Sequence, residues 1–158
     1  MKFFTPDALV CIDMWDKVCN ADKHIWPTIQ RDMHAFGGWI HHVIHYLRYS
    51  GVQIYHHDTS GATDNFRQDG MSIDKERDII LTQIGDIQKH DTVVLCGFHL
   101  ERCVGNVEGH LKSEDQRKLG RAPNNIYLCM NLSLNYPGDV FKMRGNYCFW
   151  NNAGFTKI

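Results

Sequence analysis

The chain has 158 residues, 43% of them hydrophobic and 22% charged, with a formal net charge of -1 when histidine is neutral. That length and balance suit one soluble globular domain spanning the whole chain, residues 1–158, with a real core. No global basic field points to nucleic acid or to an anionic membrane surface.

Pro6 and Asp7 break the N-terminal segment before any long apolar region, so it does not read as a signal peptide. No stretch is long enough to span a bilayer. Six cysteines are present, but Cys11 and Cys96 lie inside apolar runs, where a free thiol packs as a small hydrophobe. These features together predict a cytoplasmic protein. The ten histidines make its charge sensitive to mild acid.

Taken in chain order, Ala8-Leu9-Val10-Cys11-Ile12 is an apolar run ending in Asp13-Met14. It predicts a central strand with Asp13 at its C-terminal end, where open α/β sheets build their sites. Residues 15–26 read as a loop over that edge. Ile29, Met33, Phe36, Ile40, Val43 and Leu47 then alternate spacings of four and three, which predicts a helix closed by Gly51. His34, His41 and His45 fall on its opposite face, and the reading there is a solvated or subunit-contacting surface. Val52 to Asp58 predicts a second strand, parallel to the first because a helix joins them. Residues 59–74 read as a loop with a short strand at Met71-Ser72-Ile73. Lys75 to Lys89 is predicted to be a helix carrying Ile80, Ile84 and Ile87 inward.

Val93 to Cys96 reads as a buried strand ended by Gly97, which lets the chain turn sharply. From Cys103 onward Val104, Val107 and Leu111 have helical spacing, so Cys103 is expected at a helix N-terminus. Unpaired N–H groups and the helix dipole there favour thiolate and would hold a developing oxyanion. The charged run Lys112 to Arg121 reads as a solvated helix end. Asn125 to Leu134 alternates strictly and predicts a strand, Pro137-Gly138 a turn, and Asn146 to Trp150 an edge strand. The fold class expected is α/β, a mostly parallel sheet of about five strands flanked by helices on both faces.

The residues that carry chemistry in this layout resemble those of a known family. Ala8-Leu9-Val10-Cys11-Ile12-Asp13-Met14-Trp15 looks like the opening ALLVIDMQ of isochorismatase-like cysteine hydrolases, which include nicotinamidases. Leu47-Arg48-Tyr49-Ser50-Gly51-Val52 resembles the family's R-x-x-G-V junction. Gly97 to Val104 matches the spacing of its G-x-x-T-x-x-C-V nucleophile turn, with Leu100 in place of the threonine. The resemblance covers roughly residues 8–58 and 78–112.

What the resemblance implies is a three-layer, Rossmann-type fold and an Asp, Lys and Cys triad. The small-molecule substrate would be a small amide or related C–N compound, cleaved through an acyl-enzyme. Asp13 would be the base and Cys103 the nucleophile, with the backbone amides of Arg102 and Cys103 as the oxyanion hole. Lys75, just after the possible strand at Met71 to Ile73, is the leading candidate for the lysine; the middle of this chain is shorter than the family's, and the alternatives are Lys17, Lys23 or no lysine at all. Trp15, Trp26, Phe66 and His99 are candidates for the substrate pocket. No cofactor is expected. His56-His57-Asp58 only partly echoes the Asp-x-His metal cluster of nicotinamidases, and core packing or loop anchoring is the reading adopted. The histidine face and the family both allow a homo-oligomer. The competing expectation is an inactive fold relative that serves as a binding or oligomerisation module.

Overall fold

The computed structural model describes residues 3–14, 30–59, 73–135, 138–139 and 145–158, and of residues 30–36 the backbone alone. Among the described residues eight strands join one sheet: β1 (Phe3–Phe4), β2 (Ala8–Ile12), β3 (Gln53–His57), β4 (Ile79–Leu81), β5 (Thr92–Phe98), β6 (Asn125–Leu134), β7 (Asn146–Asn151) and β8 (Gly154–Lys157). Their order is β1-β8-β7-β6-β5-β2-β3-β4. Every neighbouring pair from β7 across to β4 is parallel, while β8 runs antiparallel to both β7 and β1. The protein is α/β, and its sheet is mixed.

The expected strand–helix–strand unit is present. β2 and β3 are parallel neighbours joined by a connection that contains α1 (Gln30–Tyr49), a helix that continues through Gly37 and Gly38. Gly51, at φ 87, ends the helical segment by turning the chain so that the Gly51 and Val52 amides bond back to Arg48 and Leu47. Ile40, Val43, Ile44 and Leu47 of α1 pack on one face of the sheet against Leu9, Cys11, Val94 and Cys96. The other face is covered by Val104, Val107 and Leu111, with Ile84 and Ile87, over Val10, Ile12, Val93 and Leu95. β2 is therefore buried on both sides, which is why its residues read as an unbroken apolar run. Beyond this second layer, α3 (Glu114–Lys118) is a short, mostly exposed helix, as the charged run implied. Among the described residues no helix is long and apolar enough to cross a membrane.

The sheet is mixed and has eight strands among the described residues, where a mostly parallel sheet of about five was expected, and three further expectations are corrected. The segment from Lys75 to Lys89 is not a helix: it makes a turn, the edge strand β4 and a 3-10 turn at Ile84–Asp86. The β-branched pair Ile79-Ile80 suits a strand, and Gly85 weakens any helix. Asp78 also pins the segment by reaching Arg48 and His56. β7 is not an edge strand, because β8 folds back beside it and Phe3–Phe4 adds a further strand. Gly97 does not end β5, which runs on to Phe98. The short strand expected at Met71 to Ile73 lies almost wholly outside the described residues, as does Pro137.

Candidate active site

The parallel strands present their C-terminal ends along one edge of the sheet. β2 hands over to Asp13, whose amide still bonds to the His57 carbonyl (3.0 Å) before φ turns to 54. Aspartate is one of the few side chains that enters this left-handed region readily. The turn leaves Asp13 only 5% exposed. Next to it, β3 ends and Thr59 caps the Asp13 carboxylate twice: its backbone N–H donates to Oδ1 (2.8 Å) and its hydroxyl to Oδ2 (2.6 Å).

The cysteine arrives from the other side of β2. Gly97 lies opposite Ile12 with φ 124, and a Cβ there would fall 2.0 Å from the Ile12 carbonyl oxygen. Only glycine lets β5 approach β2 this closely just before the turn. The Phe98–His99 peptide bond is cis. The chain then winds into a π-helical turn, Leu100–Val104, that leads into α2 (Gly105–Leu111). The His99 carbonyl accepts from the Arg102 amide (3.0 Å) and from the Val104 amide (3.2 Å). Leu100, standing where the family has threonine, is buried in the core beside this turn. The half-buried Cys103 thus comes to the same edge, with the Thr59 hydroxyl 3.5 Å from its sulfur.

Burial raises the Cys103 thiol above its ordinary range. The Thr59 hydroxyl and the His99 backbone amide act in the opposite sense, but the neighbouring Asp13 carboxylate, by hydrogen bond and by charge, adds to the rise. The thiol is therefore held protonated at rest, against the expectation that the helix end would favour thiolate. The site brings together an acceptor carboxylate, a hydroxyl and a thiol, which is a set able to move one proton from sulfur to carboxylate.

The other sequence candidates fall elsewhere. Lys75 is exposed and sits in the turn before β4. Two residues on, the Arg77 carbonyl accepts from the Gln53 side chain at the start of β3, and Arg77 stacks on Tyr49 at the end of α1. Lys75 therefore lies by the N-terminal end of the strands, away from Asp13 and Cys103. Lys17, Lys23, Trp15, Trp26 and Phe66 lie outside the described residues. His99 is at the site, where its backbone organises the turn. Of the two amides expected to make an oxyanion hole, that of Arg102 is engaged by His99, and the Arg102 side chain pairs with Asp139 (2.8 and 3.1 Å).

His56 and His57 anchor β4 to β3. His56 Nε2 bonds Asp78 Oδ2 (2.7 Å) and His57 Nδ1 bonds the Leu81 carbonyl oxygen (3.1 Å). Asp58 is buried beside them. His41 and His45 are exposed on α1 with rings 6.3 Å apart, and the His34 side chain is not among those described. Thr59 is the residue that the sequence reading passed over. Its signal was position: it follows the strand next to the one that ends in Asp13.

No significant match to this chain was found among family models, curated proteins or solved structures.

Proposed function

We propose that this protein is a cysteine-dependent hydrolase of the isochorismatase-like type, acting on a small amide or related C–N bond. The observation that carries this reading is the convergence of Asp13, Thr59 and Cys103, from three different segments, at the C-terminal edge of the parallel strands. Because the thiol is protonated at rest, its proton leaves during attack. Asp13 takes it, sulfur bonds to the carbonyl carbon, and the oxyanion forms near the Cys103 amide. Collapse breaks the C–N bond, and Asp13 returns the proton to the leaving nitrogen. Asp13 then takes a proton from water, the resulting hydroxide attacks the thioester, the C–S bond breaks, and Asp13 returns its proton to the Cys103 sulfur as the acid leaves. Lys75 takes no part in this scheme, and the two Thr59 donors stabilise the buried carboxylate.

The competing reading is an isochorismatase-like fold that has lost the chemistry and serves as a binding or oligomerisation module. It draws on the raised Cys103 thiol, the buried Leu100 and the distance of Lys75 from the site. Release of ammonia or amine from a panel of small amides separates the two. For the hydrolase, Cys103→Ala lowers turnover by roughly a thousandfold or more while the circular dichroism spectrum is retained. Equal release by the wild type and Cys103→Ala would sink the hydrolase reading.

A further inference from the structure

We propose that Thr59 is a proton-relay residue between Cys103 and Asp13, a role that rests on the hydrolase reading above. Beside the direct hydrogen bond between the Cys103 thiol and the Asp13 carboxylate, the geometry offers a second path through Thr59. A hydroxyl has a single proton to donate, and an ionised carboxylate can only accept. At 2.6 Å from Asp13 Oδ2, the Thr59 proton belongs to that contact. The Thr59 hydroxyl also reaches the Cys103 sulfur at 3.5 Å; with its proton on Asp13, its oxygen offers a lone pair to which the thiol can donate S–H. The chain is S–H to O–H to carboxylate.

On activation the S–H bond breaks and its proton binds Thr59 Oγ1, while the former Thr59 proton binds Asp13 Oδ2. The products are a thiolate, an intact threonine hydroxyl and a neutral Asp13. One proton and one negative charge have changed places, and no other reactant is needed. The new Thr59 O–H now points at the sulfur and stabilises the anion it has just created. The hydroxyl donates to whichever neighbour is charged. Its effect on the Cys103 thiol agrees in direction, since it opposes the rise caused by burial. The Thr59 backbone N–H, which holds Oδ1 at 2.8 Å, fixes Asp13 without help from the side chain. Loss of the hydroxyl alone therefore leaves the carboxylate in position.

The test is the rate of iodoacetamide alkylation at Cys103, read by peptide mass spectrometry on the full chain from about pH 6 to about pH 10. In Thr59→Val the midpoint moves to higher pH and the rate at neutral pH falls roughly tenfold, whereas Thr59→Ser stays within about threefold of wild type. Thr59→Ala gives the same readout with less bulk if the valine variant does not fold. An unchanged profile in the hydroxyl-free variants, or a serine variant as slow as the valine one, overturns the relay and leaves Cys103 as a nucleophile. If wild-type Cys103 labels no faster than the fully buried Cys96 at any pH, the hydrolase reading fails and the relay falls with it.

Discussion

At the scale of single residues, the Asp13 carboxylate has two opposed effects on Cys103. It accepts the proton, and by its charge it keeps the thiol neutral until it does. Asp13→Asn separates them. Without the negative neighbour the Cys103 thiol ionises more readily, so alkylation at neutral pH should speed up by roughly three- to tenfold. Turnover should vanish in the same variant, because the base is gone; measuring both on one preparation checks the assignment. Asp13 and Cys103 were legible in the sequence because each follows an apolar strand with a characteristic turn. Thr59 was not, since its partners stand 46 and 44 positions away and nothing local marks it. Asp78 was hidden for the same reason. Burial pushes its carboxyl up, but hydrogen bonds from Arg48, His56 and the Asp74 amide outweigh this and hold it at about 2, against an ordinary 3.8. A carboxyl lowered in the fold stabilises it above the unfolded value and loses that contribution as pH falls. Urea unfolding should thus show about 2 kcal/mol of stability lost between about pH 4 and about pH 2. In Asp78→Asn that acid step should be absent and the protein weaker at neutral pH by roughly 3 kcal/mol, because Arg48 loses its buried partner.

At the scale of elements, the approach of β5 to β2 depends on Gly97. The Cβ of Gly97→Ala would meet the Ile12 carbonyl oxygen at 2.0 Å, and its φ of 124 is one that an L side chain rarely adopts. Thermal unfolding should show a loss of about 3 kcal/mol or more, and a variant as stable as wild type would contradict the packing described. Past this point β6 departs from regular pairing with β5, since the register jumps from Leu95↔Leu128 to Gly97↔Ser133. Ser133 accepts the Gly97 amide (3.2 Å), and the Asn131 side chain bonds both the amide and carbonyl of Trp150, standing in for a backbone ladder. The sequence showed β6 as a clean alternation and gave no sign of this bulge. The element it misread, Lys75 to Lys89, carries isoleucines at helical spacing that are also compatible with a strand followed by a turn. Which one forms is decided by contacts to Arg48, His56 and His57 across the sheet, and those are not local.

At the scale of the whole molecule, the parallel part of the sheet builds the candidate site and the antiparallel part closes the sheet's far side. The parallel α/β core was legible because its strands are buried on both faces and separated by a strongly periodic helix. β1 and β8 were not, since each is short and Phe3 pairs with Thr156 at the other end of the chain. Six strands in parallel register align their C-terminal ends, and that alignment brings Asp13, Thr59 and Cys103 together from segments with no sequence proximity. The central claim is that Cys103 carries a covalent acyl group during turnover. Its most direct test is intact-mass spectrometry of the protein quenched during reaction with a small amide it hydrolyses, followed by mapping of the adduct. An acyl mass on Cys103, absent in Cys103→Ala, is the expected result; steady turnover with no adduct in the wild type, and undiminished in Cys103→Ala, would contradict it.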